Sequence, residues 1–210
     1  MATTEVNGKI CLDPAFEVSE NDIIKFDGRK IIPFNKTIVV MLNKPKKVIT
    51  TVKDTHDRKT VMEFIPNKFR LTPVGRLDQN TTGLLLFTND GDLQQFLTHP
   101  KNKIPKDYVV TIEGRLTLLQ KKKIKKGVYI GFKEYGQAEV LGQVTEKTRS
   151  KVTIRLRQGK KREIRRIFFR LNLKLFSLKR ISFSKIKLGS LEEGRYRELN
   201  KNEISLLKGI

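Results

Sequence analysis

The sequence predicts an α+β fold in which helices flank a mixed, mainly antiparallel sheet. Two observations indicate this class. Apolar runs of strand length recur between turn residues, and a few segments with helix-start signals or helical apolar spacing lie among them. The 210 residues are enough for one full domain and a small module, which we place at residues 37–210 and 1–36.

Short hairpins are predicted in the first 36 residues. Asn7-Gly8 lies beside a short strand, and Asp27-Gly28 divides the segment DIIKFDGRKII (22–32) into two strands. The module holds five Lys or Arg against six Asp or Glu, a net charge of −1. We therefore do not expect a polyanion to bind there.

The larger domain carries both strand and helix signals. Thr60 with Glu63, and Asn200 with Glu203, match the capping boxes that start helices, and Gly127 is a stop signal after a lysine-rich run. Strands are predicted near residues 37–45, 84–88, 107–113, 138–146, 151–157 and 175–182. Helices are predicted at residues 60–64 and 92–98, in the run that ends at Gly127, after RQGKK (157–161), and after Asn200.

The helix after RQGKK is the clearest of these elements. Its apolar residues recur at helical spacing and form one face: Ile164, Ile167, Phe168 and Leu171. At roughly 100° per residue, Arg162 and Arg166 fall on the opposite side and Arg165 falls on the border. A border arginine can bury its stem and direct its guanidinium into a cleft. The alternative is an ordinary amphipathic surface helix.

The charge of the chain predicts a polyanionic partner. Lys and Arg total 44 against 22 Asp and Glu, which gives a net charge of +22 and opposes compaction. Residues 149–180 hold thirteen Lys or Arg and one acid, Glu163, so that more than half of the net charge lies there. We expect nucleic acid to bind this segment. A lysine-rich, solvated surface would explain part of the excess.

The sequence also predicts a cytoplasmic protein that does not span a membrane. Its one cysteine, Cys11, excludes an internal disulfide and suits a reducing compartment. No run of 18 apolar residues is present, and the N-terminal segment lacks the apolar stretch of a signal peptide. The two histidines, His56 and His99, form no metal-ligand motif, so we expect no metal.

The segment PVGRLDQNTTGLLLFTNDGDL (73–93) places Arg76 and Asp78 in a polar turn before an apolar strand. Alone, an aspartate in a turn usually caps the backbone or forms a surface ion pair. This segment, however, resembles the signature of RNA pseudouridine synthases. Four further segments resemble the same family in the same order: VVMLNKPKKVITT (39–51), KDYVVTIEG (106–114), RQGKKREIRRIF (157–168) and EGRYRELNKNEI (193–204).

The resemblance covers residues 38–207 and is closest to the bacterial branch that modifies ribosomal RNA of the small or large subunit. Residues 6–32 resemble the second half of the alpha-L RNA-binding module that this branch often carries, without its helical first half. The resemblance therefore implies a pseudouridine synthase catalytic domain at 37–210 and a partial alpha-L-type module at 1–36.

The resemblance implies that a uridine in ribosomal RNA is isomerised to pseudouridine. Because the base is detached, turned and rejoined through carbon, nothing is oxidised, and we expect no cofactor. The reaction needs a carboxylate close to the ribose, which the resemblance assigns to Asp78, as a nucleophile or as a base that starts glycal formation. Arg165 is implied as its charge partner and Tyr108 as the platform for the flipped base. Without the family, Tyr108 would be interpreted as a core strand residue.

The remaining implied roles concern RNA contacts. Ile164 is expected on the other side of the base, and Arg76 on the RNA backbone. Phosphates are assigned to Lys160, Lys161, Arg162 and Arg166. Lys44-Pro45 is interpreted as a structural turn. We expect a monomer, and the alternative function is a non-catalytic RNA-binding or ribosome-assembly protein that would not need Asp78.

Overall fold

The structure, a computed structural model, describes residues 3–19, 21–32, 36–67 and 69–209. The chain forms two compact units, Met1–Lys36 and Thr37–Ile210. The first is a small antiparallel sheet of four strands: β1 (Thr4–Val6), β2 (Lys9–Ile10), β3 (Ile24–Phe26) and β4 (Arg29–Ile31). Their order in the sheet is β2-β1-β3-β4.

Both predicted hairpins of the small unit are confirmed. Asn7-Gly8 joins β1 to β2, and Asp27-Gly28 joins β3 to β4. All four turn residues have positive φ, between 47° and 80°, as two-residue hairpin turns require. No described residue of this unit is buried, so its sheet encloses no core of its own.

The second unit contains eleven strands and four α-helices among the described residues. The strands are β5 (Val39–Lys44), β6 (Thr72–Val74), β7 (Thr82–Thr88), β8 (Lys106–Glu113), β9 (Val128–Gly131), β10 (Glu134–Gly136), β11 (Glu139–Glu146), β12 (Arg149–Leu156), β13 (Leu175–Phe183), β14 (Ile186–Lys187) and β15 (Tyr196–Glu198). The helices are α1 (Gly91–Thr98), α2 (Leu118–Lys126), α3 (Glu163–Arg170) and α4 (Lys201–Lys208), and short 3-10 turns span Val61–Phe64 and Pro100–Asn102.

One large sheet organises this unit, and it is mainly antiparallel as predicted. Its order is β11-β12-β8-β13-β7-β5-β15, with β14 beside β13 and β6 beside β7. Among the described strand pairs of the sheet, β13 and β7 are the parallel pair, and they join its two antiparallel halves. The join is tight, since a Cβ at Gly83 would collide with the carbonyl oxygen of Arg180. A separate two-stranded sheet is formed by β9 and β10.

The apolar run that follows Asp78 is explained by a core on both faces of the sheet. In β7, Leu85 and Phe87 enter one apolar cluster, whereas Leu84 and Leu86 enter the other. Helix α3 packs on the first cluster through Ile164, Ile167 and Phe168, which confirms the predicted apolar face, and α1 and α4 pack on the second. Because β7 is buried on both sides, the loop before it rests on rigid structure.

The predicted helix signals also hold in the structure. The Glu63 carboxylate accepts the backbone N–H of Thr60 at 2.6 Å, and Asn200 and Glu203 cap α4 reciprocally. Helix α2 ends at Gly127, whose φ is 122°. Among the described residues, no helix has the length and apolar composition needed to cross a lipid bilayer.

Candidate active site

Asp78 lies in the loop between β6 and β7, beside the junction of the two sheet halves. Each of the five consecutive backbone carbonyls in this loop accepts a hydrogen bond. The carbonyl of Leu77 accepts from Thr50 Oγ1, and that of Asp78 accepts from Thr81 N. The carbonyl of Gln79 accepts from both Lys47 N and Lys44 Nζ. The carbonyls of Asn80 and Thr81 accept from Arg165 Nη2 and Lys44 Nζ, respectively. The loop is therefore fixed by the segment 44–50, by Arg165 of α3 and by a hydrogen bond within its own backbone. These bonds to the backbone hold the Asp78 side chain in position.

Lys44 is the buried anchor of this loop. Its ammonium is fully enclosed and donates to the carbonyls of Pro45, Gln79 and Thr81 at 2.9, 3.3 and 3.0 Å. Burial lowers the pKa of Lys44 to about 8, while the charges of Glu193 and Asp78 act in the opposite direction. The Lys44-Pro45 turn is thus structural, as expected, and it acts directly on the loop that carries the carboxylate.

Arg165 is the cation that the structure places beside Asp78. Its Nε lies 3.7 Å from Asp78 Oδ2, and its Nη2 donates to Asn80 O at 3.0 Å and to Thr81 Oγ1 at 3.3 Å. Burial lowers the pKa of Arg165, while the charge of Asp78 acts in the opposite direction, and the guanidinium stays charged. Its border position on α3 therefore directs it into a cleft, which is one of the two interpretations that the helical spacing left open.

Asp78 opens into a cleft of about 540 Å³. Its side chain is 37% exposed, so solvent or a ligand can reach the carboxylate. Tyr108 and Ile164 line the same cleft from β8 and α3, yet both belong to the apolar core, and Tyr108 is only 7% exposed. The cleft thus has an apolar wall beside a single carboxylate–guanidinium pair.

Glu163 organises the basic side of the cleft. Its buried carboxylate accepts hydrogen bonds from Gln158 Nε2 at 2.8 Å, Gln137 N at 3.1 Å and Lys160 N at 3.1 Å. Burial raises the pKa of Glu163, and the three accepted hydrogen bonds oppose that shift. The loop from β12 to α3 is thereby folded against the first turn of α3, which brings its cations to the rim.

Eight of the nine residues singled out in the sequence line this one cleft: Arg76, Asp78, Tyr108, Lys160, Lys161, Arg162, Ile164 and Arg165. The ninth residue, Arg166, does not line this cleft. Arg166 instead donates to the carbonyls of Ile130 and Gly131 and pairs with Glu134 at 2.7 Å, since the helix turns it toward β9 and β10. Its guanidinium is therefore committed within the protein rather than held ready for a phosphate in the cleft.

Similarity to known proteins extends over most of the chain. The family model described as RNA pseudouridylate synthase matches residues 38–169. An uncharacterized RNA pseudouridine synthase of Aquifex aeolicus is 36% identical over 208 residues, which cover 97% of this chain and 82% of that protein. This chain belongs to the RNA pseudouridine synthase family. It is therefore an enzyme, an isomerase that acts on RNA.

Two further similar proteins align with almost the whole of this synthase. The ribosomal large subunit pseudouridine synthase B of Bacillus subtilis is 32% identical over 209 residues, or 98% of this chain and 85% of that protein. A crystal structure of a pseudouridylate synthase matches with a TM-score of 0.74 at 28% identity, covering 98% of this chain and 88% of the other. The similarity thus extends over nearly the whole chain, beyond the segment that the family model matches.

Sequence reasoning missed two residues that shape the synthase site. From the sequence, Glu163 stands out only as the one acidic residue in a basic segment. A single acid among thirteen cations is itself a signal of a structural role, because its carboxylate has many possible donors nearby. Lys44 was recognised only as part of a turn. Its position at the end of a strand that opens with four apolar residues, directly before a proline, is the signal that its ammonium can be enclosed.

The buried Lys44 gives the synthase a measurable pH dependence of stability. Its pKa of about 8 in the folded state lies below the ordinary 10.5. Between these pH values the unfolded chain binds more protons than the folded one, so the free energy of unfolding rises with pH. We expect Lys44 to contribute a rise of about 2 kcal/mol from about pH 7.5 to about pH 10.

Urea unfolding of the wild type and of Lys44→Met at those two pH values measures this contribution. Lys106, whose pKa burial also lowers to about 8, is present in both proteins and cancels from the difference. The rise should be smaller in Lys44→Met by the amount that Lys44 contributes. Equal rises in the two proteins would show that folding does not lower the pKa of Lys44.

Proposed function

We propose that this enzyme isomerises a uridine in ribosomal RNA to pseudouridine, with Asp78 as the catalytic carboxylate. The observation that supports this most is the position of Asp78. Its side chain opens into the cleft beside Arg165. It lies on a loop in which the backbone carbonyls of residues 77–81 all accept hydrogen bonds. Such a carboxylate is held ready for a ribose carbon or proton, and the guanidinium offsets the cost of desolvating it.

Ribosomal RNA is proposed as the substrate on two grounds. The relative from Bacillus subtilis carries ribosomal large subunit in its name, and it aligns with 98% of this chain. The cleft rim is cationic, as a structured RNA requires. A uridine of the large subunit is therefore the first candidate to examine.

In the proposed reaction the target nucleotide is flipped into the cleft, which costs a few kcal/mol of unstacking. Its base lies between Tyr108 and Ile164, on the apolar wall of the cleft. Asp78 either attacks the ribose at C1′ or removes a ribose proton, and the bond from C1′ to N1 breaks with its electron pair going to N1. The base turns and C5 bonds to C1′. On the first route the Asp78–C1′ bond breaks as this bond forms, and on the second route Asp78 returns its proton to the ribose. The proton on C5 then leaves and N1 gains a proton. Tyr108 is the group proposed to carry a proton in this exchange.

Mapping of pseudouridines in ribosomal RNA tests the substrate. We expect one or a few sites to disappear when the gene for this protein is removed, and the purified protein to restore them on a transcript of the same region. Identical maps with and without the protein would refute ribosomal RNA as the substrate. If the purified protein forms pseudouridine only in another class of RNA, the proposed role of Asp78 is unchanged and only the proposed substrate is wrong.

RNA binding is expected to depend strongly on salt. Five exposed or half-buried cations lie at the cleft or on the loop beside it: Arg76, Arg157, Lys160, Lys161 and Arg162. None of the ion pairs among the described residues involves them. If five phosphates are neutralised, log affinity should fall against log salt with a slope of roughly −3.5 to −4.5.

Fluorescence anisotropy of a labelled RNA at several salt concentrations measures that slope. Lys161→Ala and Arg162→Ala should each reduce it by nearly one, because each removes one phosphate contact. Lys122→Ala, on the exposed side of α2, is the matched control and should change it less. A slope near zero in the wild type would show that this face does not bind RNA.

Deletion of residues 1–34 is expected to leave the larger unit folded and active on a short RNA at saturating concentration. The small unit buries none of its described residues and carries a net charge of −1. Circular dichroism and turnover at high RNA concentration check this. A soluble, folded deletion variant without activity would show that the small unit belongs to the active complex.

A further inference from the structure

An aromatic surface lies on the hairpin of β9 and β10. Tyr129, Phe132 and Tyr135 are 47%, 91% and 60% exposed, although apolar rings of this size are normally covered. Tyr129 and Tyr135 face each other across the two strands with their ring centroids 5.5 Å apart, and Phe132 stands at the hairpin turn. Three exposed rings within seven residues form a patch rather than a scattered set.

Arginines of α3 fix this hairpin and lie against its rings. Arg166 binds the carbonyls of Ile130 and Gly131, and its guanidinium carbon lies 5.5 Å from the centre of the Phe132 ring. The guanidinium carbon of Arg170 lies 5.7 Å from the centre of the Tyr129 ring. The hairpin is therefore held to the helix by polar bonds, and the exposed rings carry cations beside them.

The same elements connect this surface to the active-site cleft. Lys160 lines the cleft, and its Nζ donates to the carbonyl oxygen of Tyr135 at 2.6 Å. Helix α3 presents Arg165 to Asp78 and, one residue later, turns Arg166 to the hairpin. The backbone of Tyr135 thus lies one lysine side chain away from the cleft.

We infer that this surface, formed by Tyr129, Phe132, Tyr135, Arg166 and Arg170, stacks unpaired bases of the RNA next to the target uridine. This inference rests on the proposed function, because it requires that the substrate is RNA. Aromatic rings bind bases without regard to sequence, and only bases outside a duplex expose their faces. A platform of this kind would hold the strand that flanks the flipped nucleotide.

The local charge favours RNA over a protein partner. The hairpin itself carries Lys133, Lys160 bonds to its backbone, and Arg170 lies beside the Tyr129 ring, while the one acid on the hairpin, Glu134, is paired with Arg166. An apolar patch with a strongly positive border matches a single strand, whose bases stack while its phosphates meet the cations.

The absence of tryptophan from the sequence allows a direct test. Phe132→Trp places the sole indole of the protein on the proposed platform, where a stacked base should quench its emission. Phe96→Trp is the matched control, since Phe96 is also exposed, at 41%, but lies on α1, which packs on the opposite face of the sheet from α3. Each variant is titrated with a short single-stranded RNA while anisotropy of the labelled RNA reports binding independently.

We expect quenching in Phe132→Trp and none in Phe96→Trp. Replacement of all three rings by alanine should weaken RNA binding roughly 5- to 150-fold for each base that stacks. It should leave the salt slope unchanged, because no charge is removed. Phe132→Leu, which keeps apolar area without a ring face, should also weaken RNA binding, because stacking needs the ring.

Two results would overturn the inference while leaving the proposed function intact. One is full RNA binding with unchanged Phe132→Trp emission, and the other is wild-type affinity and turnover in the triple alanine variant. In either case the patch is a protein contact or a bare surface. If the wild type neither binds nor modifies RNA, the proposed function fails together with the inference.

Discussion

Asp78→Asn is expected to abolish pseudouridine formation while RNA binding persists. Asparagine keeps the shape of aspartate, and the loop is held through backbone carbonyls rather than through this side chain, so the fold of the site should not change. The substitution removes the charge, and with it both the nucleophile and the base. Affinity should be unchanged or higher, because a negative charge close to RNA phosphates is gone.

Single-turnover release of tritium from carbon five of uridine measures the first of these effects, and a binding titration the second. Asp92→Asn is the matched control, since Asp92 is an exposed aspartate on α1 that does not line the cleft. Tritium release should be undetectable in Asp78→Asn and normal in Asp92→Asn. Near-normal turnover by Asp78→Asn would refute its assignment as the catalytic residue.

The fold was predictable where local pattern and burial agree. The α3 face, the capping boxes and the longer strands each carry a pattern that needs no tertiary information. The shorter strands β6, β9, β10 and β14 carry too few residues for a pattern, and they form because neighbours supply their partners. The parallel pairing of β13 with β7 likewise depends on distant segments and could not be derived from either strand alone.

The site was predictable in its residue types and less so in its geometry. Arg76 is two residues from Asp78, yet the ion-pair partner is Arg165, 87 positions away, because the sheet brings α3 over the loop. Arg166 illustrates the opposite case. Its place in a basic run suggested a phosphate contact, whereas the hairpin of β9 and β10, which the sequence did not reveal, takes up its guanidinium.

Arg165→Ala is expected to reduce turnover by roughly 10²–10⁴ and to change RNA affinity much less. In the free enzyme Asp78 is 37% exposed and 3.7 Å from Arg165 Nε, so the pair contributes about 1 kcal/mol or less there. When RNA excludes water, an unpaired Asp78 would cost about 3–5 kcal/mol, which corresponds to that loss of rate. The loss should therefore appear in the chemical step rather than in binding.

The geometry of Arg165 supports this division. Its buried Nε has no hydrogen-bond partner among the described residues, while Nη2 donates to Asn80 O and Thr81 Oγ1. An Nε–H donor held close to the carboxylate, but not yet bonded to it, can close on Asp78 as the site loses water, since catalytic hydrogen bonds are often long before substrate binds. The guanidinium thus both fixes the loop and keeps one donor for the carboxylate.

Arg165→Lys separates these two contributions. Lysine restores the positive charge but cannot donate to the loop and to Asp78 in the fixed planar arrangement of a guanidinium. We expect it to recover part of the turnover lost in Arg165→Ala, measured by the same single-turnover tritium release beside a binding titration. Recovery to wild-type turnover would mean that charge alone suffices and that the bonds to Asn80 and Thr81 are incidental. Full turnover in Arg165→Ala would leave Asp78 as the catalytic carboxylate and remove Arg165 from the mechanism.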